Sequence, residues 1–207
     1  YPPEMEYTDD QLSQLAQESD LAVLTIGRNS GEGGDRLEKD DFLLTEQEQD
    51  MLKRASAFFH QVNKQLVVVL NIGGVVETRS WISNADAVVL AWQGGQESGN
   101  AVADVLSGAV NPSGRLPMTF PIHLDDHASN ANFPQLATDY NPIMLMIDKK
   151  EKPEEEWVEN VDYTVYEEGI YVGYRHFDKA ELEVAFPFGY GMSYTEFEYL
   201  NPSFVQH

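Results

Sequence analysis

The sequence predicts an α/β fold, a mostly parallel sheet with helices on both faces, forming a three-layer sandwich. Two observations carry this. Three short apolar runs, Leu21–Gly27, residues 66–72 and residues 87–92, have the length of strands, and the second is largely β-branched, as expected of a strand covered on both faces. Each run is followed by helical spacing of apolar positions, and strand-then-helix repeated three times argues for parallel strands joined by right-handed crossovers.

The elements follow in order. Leu12, Leu15 and Ala16 among polar neighbours predict a short amphipathic helix ending near Asp20. The first strand is Leu21–Gly27. Thr45 reads as an N-cap with Glu48 three residues on, and Met51, Leu52, Ala55 and Phe58 keep helical spacing to about Asn63. The second strand ends at Gly73-Gly74, a short helix is expected over residues 77–83, and the third strand leads through glycines into a helix over residues 98–106. Beyond Asn111-Pro112-Ser113-Gly114, an edge strand is expected over residues 116–120, since Pro117 and Pro121 discourage helix. The whole of 1–207 is expected to be a single domain, with residues 122–165 a long loop excursion and residues 166–207 an aromatic, glycine-rich segment packing back as extended chain. Residues 148–168 hold nine acidic and three basic side chains, which reads as a solvated face or mobile loop.

Composition excludes several functions. The 207 residues are 42% hydrophobic and 11% aromatic, enough for a sizeable core. Thirteen basic against 35 acidic residues give a formal charge of -22, which repels nucleic-acid phosphates and anionic lipid. The lack of cysteine removes disulfides, thiolate metal sites and cysteine nucleophiles. No run approaches the roughly 18 apolar residues of a membrane helix. The first residue is Tyr1, so a removed leader or a preceding domain is compatible with the chain. A periplasmic or secreted setting is expected ahead of a cytoplasmic one.

The loop Asn29-Ser30-Gly31-Glu32-Gly33-Gly34-Asp35-Arg36 follows the first strand directly. Ligands of parallel α/β sheets bind outside the carboxyl ends of the strands, so Glu32, flanked by glycines, is placed to meet a substrate. A surface glutamate in a glycine loop is the other reading of the same residues.

Five strings in order resemble the α/β sandwich domain of glycoside hydrolase family 3, the β-glucosidase-type enzymes. They are Ser30-Gly31-Glu32-Gly33 with Asp35-Arg36; Trp92-Gln93-Gly94-Gly95-Gln96-Glu97; Asn111-Pro112-Ser113-Gly114-Arg115-Leu116-Pro117 with Thr119-Phe120-Pro121; Tyr166-Glu167-Glu168-Gly169-Ile170-Tyr171-Val172-Gly173-Tyr174-Arg175; and Phe188-Gly189-Tyr190-Gly191-Met192-Ser193-Tyr194-Thr195. The resemblance implies the C-terminal domain of a retaining β-glycosidase that releases terminal β-D-glucosyl residues. It also implies a partner (β/α)8 barrel carrying an aspartate nucleophile, and general acid/base work by Glu32. The 207 residues contain no barrel, and the family's first strand and helix of the sandwich are also absent from them, so the chain alone is expected not to hydrolyse glycosides. The alternative is a stand-alone carbohydrate-binding or interaction domain derived from such an enzyme. A nucleotide-binding, flavodoxin-like protein is a third reading.

Other residues have simpler roles. Arg28, Ser30 and Asp35 are candidate substrate contacts, although an Asp35–Arg36 ion pair fixing the loop is the plainer reading. Trp92 is expected in the core rather than stacked on sugar, and Phe186, Phe188, Tyr190 and Tyr194 are expected to anchor the C-terminal segment. The glycines at 94 and 95 lack a P-loop lysine and the dinucleotide spacing, so no nucleotide site is expected. His60, His123, His127, His176 and His207 lack metal-ligand spacing, and no metal or cofactor is expected.

Overall fold

A computed structural model describes residues 6–28, 36–131 and 167–205. Helix α1 (Asp9–Glu18) begins in a capping box: the Thr8 hydroxyl accepts the Gln11 N–H at 3.3 Å, and the Gln11 side chain accepts the Thr8 N–H at 2.8 Å. Strand β1 (Leu21–Gly27) follows after a two-residue link. Helix α2 (Glu46–Gln61) has the predicted cap, with Glu48 N–H donating to the Thr45 hydroxyl at 3.1 Å and Thr45 N–H donating to the Glu48 carboxylate at 2.8 Å. Strands β2 (Gln65–Asn71) and β3 (Ala87–Leu90) complete a three-stranded parallel sheet in the order β1-β2-β3. Leu21 pairs with Gln65 and Gly27 with Asn71, while Val67 pairs with Ala87.

The core lies between α2 and this sheet. Leu52 and Ala55 of α2 join Ile26, Leu66, Val68, Leu70 and Ile72 in one cluster, closed at one side by Val76, Trp81 and Phe120. Side chains alternate along a strand, so Val67 and Val69 point to the opposite face, and they are buried too. Strand β2 is thus covered on both faces, as its unbroken apolar run predicts. The outer strands are more open, with Val23 of β1 49% exposed. Helix α1 packs on α2, and Lys64 fixes its end by donating to the Ala16 and Gln17 carbonyls at 2.8 and 3.0 Å. Helix α3 (Ser98–Leu106) has the expected bounds.

Three expectations are corrected. The helix over residues 77–83 is replaced by a turn capped by Glu77, whose carboxylate accepts the Ser80 N–H and hydroxyl at 2.8 and 2.6 Å, and by a single 3₁₀ turn at Ile82–Asn84. Burial of Trp81, whose indole N–H donates to the Glu77 carbonyl, holds the chain in that turn. The edge strand is shorter and later than predicted: β4 (Phe120–Pro121) pairs antiparallel with a strand from the C-terminal segment. That segment is not wholly extended either. After Gly173 it forms α4 (Tyr174–Ala180), which buries Phe177, before reaching β5 (Val184–Phe186).

Beyond β5 the chain is zipped to the segment after α3. Leu116 N–H donates to the Tyr190 carbonyl and Gly189 N–H to the Leu116 carbonyl, both at 2.8 Å, and the Arg115 guanidinium donates to the Gly191 carbonyl. The Asn111 side chain accepts the Tyr194 N–H at 2.9 Å and donates to the Ser193 hydroxyl at 2.9 Å. A Cβ on Gly191 would stand 2.5 Å from the Gly114 carbonyl oxygen, so glycine is required for this approach. Two of the strings singled out in the sequence are therefore partners of each other.

Candidate active site

The carboxyl ends of β1, β2 and β3 lie side by side because the strands are parallel and in register, and the segments leaving them form one edge. From β1 leaves the chain through Arg28; from β2, Gly73 and Gly74; from β3, Trp92 and Gln93. These segments touch. A Cβ on Gly73 would stand 3.0 to 3.2 Å from the Gln93 side-chain amide, and one on Gly74 would stand 2.5 Å from Arg36 Nη1. The Gly-Gly pair is thus a floor over which Gln93 and Arg36 lie, and a side chain there would lift them.

Arg28 is the most constrained residue of this edge. Its Nη1 and Nη2 meet the two carboxylate oxygens of Glu48 at 2.6 and 2.7 Å, and further N–H groups donate to the carbonyls of Gly27, Asp41 and Leu43 at 2.7, 2.8 and 3.3 Å. A guanidinium has five N–H donors, and these contacts engage all five. Both partners are nearly buried, at 8% and 12% side-chain exposure, which makes a bidentate, charge-assisted pair of the strong kind. Arg28, expected as a candidate sugar contact, ties the end of β1 to the start of α2. Its partner Glu48 is also the capping-box residue, so one carboxylate serves two ends of the structure.

The chain after Arg36 makes a kinked turn at Glu38–Phe42 in which Asp40 adopts φ 61°, and this turn gathers the neighbouring segments. The Asp41 carboxylate accepts Arg36 Nε at 2.6 Å and the Leu37 N–H at 3.2 Å. Its carbonyl accepts Arg28 Nε, while the Phe42 carbonyl accepts the Glu77 N–H at 2.8 Å. Phe42 is buried beneath. Glu32, Ser30 and Asp35 belong to residues 29–35, which lie outside the described residues. Among the described residues Arg36 pairs with Asp41, and the expected Asp35–Arg36 pair lies outside the described residues.

Trp92 combines two properties. It packs half-buried against the core, its ring centroid 6.3 Å from that of Phe120, as the core reading predicts. It also has φ 53°, a left-handed conformation that is rare for a bulky side chain and tends to occur where a fold places strain near a site. Of the C-terminal aromatics, Phe186 packs on Phe120 and Tyr190, and Phe188 stacks on Tyr174 at 4.7 Å; Tyr194 is 73% exposed and joins the seam through its backbone N–H to Asn111. Among the described residues no cluster of His, Asp and Glu has the arrangement of a metal site, and no helix is long and apolar enough to cross a membrane.

Sequence reasoning missed Asp41 and the second role of Glu48. The capping spacing of Glu48 was legible because it is local, whereas both ion pairs join segments that meet only when the turn at Glu38–Phe42 folds over β1.

Comparison with known proteins accounts for the arrangement as a whole. Residues 6–174 match the family model described as the glycosyl hydrolase family 3 C-terminal domain. Beta-glucosidase B of Emericella nidulans is 40% identical over 207 residues, covering 96% of this chain and 22% of that protein. Beta-glucosidase of Ruminococcus albus is 36% identical, covering 94% of this chain and 18% of that protein. Among solved structures, beta-glucosidase 3B from Thermotoga neapolitana in complex with glucose superposes with a TM-score of 0.81 at 43% identity, over 99% of this chain and 26% of that one. The chain therefore spans about a quarter or less of the proteins it matches. It belongs to the glycosyl hydrolase family 3 C-terminal domain family.

Proposed function

We propose that this chain is the C-terminal domain of a retaining β-glucosidase, that it works with a (β/α)8 barrel carrying an aspartate nucleophile, and that Glu32 is the general acid/base. The observation that carries the reading is the coincidence of two things. Relatives covering nearly the whole chain are named beta-glucosidases, and the loop holding Glu32 leaves the carboxyl end of β1, where parallel α/β sheets meet their ligands.

The chemistry needs two carboxyl groups about 5 to 5.5 Å apart, one attacking the anomeric carbon and one protonating the departing oxygen. Glu32 donates its proton as the glycosyl–aspartate ester forms, then takes one from the water that opens that ester. To be protonated at rest it needs a raised pKa, which the neighbouring nucleophile's charge and exclusion of water would supply. This chain's framework of Arg28, Glu48 and Asp41 contributes fixed stems for the loop.

The test is Glu32→Gln in the full-length enzyme. For a β-glucoside with an alkyl leaving group, kcat/KM is expected to fall about 10²- to 10⁴-fold. For the dinitrophenyl glucoside, whose leaving group departs without a proton, it should change little, and azide should restore turnover as a β-glucosyl azide. Unaltered hydrolysis of the alkyl glucoside would sink the assignment. Hydrolysis by the 207-residue chain alone, lost on Glu32→Gln, would remove the need for the barrel.

A further inference from the structure

Gln93 stands beyond the carboxyl end of β3 with its side chain already placed. A Cβ built on Gly73, just past the end of β2, would lie 3.0, 3.1 and 3.2 Å from Gln93 Nε2, Cδ and Oε1, so the flat amide rests its face on the glycine. The N–H and lone-pair directions of a carboxamide lie in its plane, and a contact through the face leaves them unspent. Gln93 is exposed, so those groups look outward. Its backbone is fixed on both sides. Trp92 before it packs on Phe120 and holds φ 53°, while Gly94 after it lies so close to the first turn of α3 that a Cβ there would meet Ser98 Oγ at 2.7 Å. Strain of this kind persists where packed neighbours enforce it, and it clusters at binding sites. A polar side chain whose place is set before binding also loses little freedom on binding.

We propose that Gln93 is a substrate contact that selects the leaving group: its amide donates to and accepts from the hydroxyls of a sugar leaving group. The proposal rests on the reading of function given above. On that reading the barrel attacks the anomeric carbon and this domain delivers the proton to the departing oxygen, so the leaving group is the part of the substrate that the carboxyl edge meets. One acceptor and two donors on a neutral amide match neighbouring hydroxyls, each of which both donates and accepts. The charge of -22 disfavours an anionic leaving group. Gly73 is part of the same device. Its φ is not left-handed, so a methyl group there would displace the amide without straining the backbone.

The experiment compares two substrates in the full-length enzyme: cellobiose, whose leaving group is a glucose, and cyclohexyl β-glucoside, whose leaving group is a ring without further hydroxyls. Gln93→Leu keeps the bulk of the side chain and removes its donors and acceptor. It is expected to lower kcat/KM for cellobiose about 10-fold, the value of one or two hydrogen bonds, and for the cyclohexyl glucoside less than about 2-fold. The loss should lie mainly in KM, as for a contact made equally in the bound substrate and the transition state. Gly73→Ala leaves Gln93 in the chain but pushes its amide off the floor, and should reproduce the selectivity. Equal losses on both substrates, or no loss on cellobiose, in Gln93→Leu and Gly73→Ala would overturn the proposal. Failure of the unaltered enzyme to hydrolyse either glucoside would instead locate the error in the reading of function, and the role of Gln93 would fall with it.

Discussion

Glu48 shows how one side chain joins three segments. One carboxylate oxygen meets Arg28 Nη1; the other meets Arg28 Nη2 and the Thr45 N–H. Removing one partner of a nearly buried ion pair leaves an uncompensated charge, a change that typically costs about 3–5 kcal/mol, and loss of a cap adds about 1 kcal/mol. Glu48→Ala is therefore expected to destabilise the chain by several kcal/mol in urea unfolding, and Glu48→Gln, which keeps an acceptor for Thr45, by less. A loss below about 1 kcal/mol would mean that the pair contributes no more than an exposed one. The cap was readable in the sequence because it spans three residues. Its pairing with Arg28, 20 positions away, was not, because periodicity and capping rules say nothing of which stems a turn will bring together.

At the scale of elements, the parallel strands and helices α1 to α3 were legible because their apolar spacing and caps are local signals. Helix α4 was hidden by its aromatic and glycine-rich flanks; burial of Phe177 against the turns that follow β4 decides it. His127, in those turns, faces Phe177 edge to face at 5.7 Å, and His176 of α4 sets its Nε2 3.0 Å from the Asp126 carbonyl. Burial pushes the His127 pKa below its ordinary 6.5, against the attraction of Asp126 and with the repulsion of His176. The unfolded chain then binds more protons than the folded one between the lowered pKa and 6.5, so stability rises with pH across that window and is level above it. Thermal melts from about pH 5 to pH 7 are expected to climb for the native chain and to lose part of that slope in His127→Phe. An identical slope in the variant would show that other groups carry it. Asp86 adds the same sign at lower pH: its hydrogen bonds from His60 and the Leu66 N–H hold its pKa down, and their stabilisation is lost as pH falls through that lowered value.

On the scale of the whole molecule, the charge of -22 repels itself in the compact state. Screening shortens the range of that repulsion from about 30 Å at 0.01 M salt to about 8 Å at 0.15 M. The melting temperature is expected to rise across that range in sodium chloride; a fall would mean that screened attractions such as Arg36–Asp41 outweigh the net repulsion. The same charge, readable without any structure, is the ground on which phosphate backbones are expected to be repelled. The sequence by itself also determined the α/β class, the places of the three parallel strands and the family resemblance, since all are written in short-range spacing of apolar, capping and glycine residues. Only the tertiary structure decided that Arg28 ties the end of β1 to the start of α2, that Asn111 and Ser193 belong to one seam, and that Asp41 meets both Arg28 and Arg36. These are contacts between residues distant in the chain, and they exist only once the core has brought the carboxyl ends of the strands together.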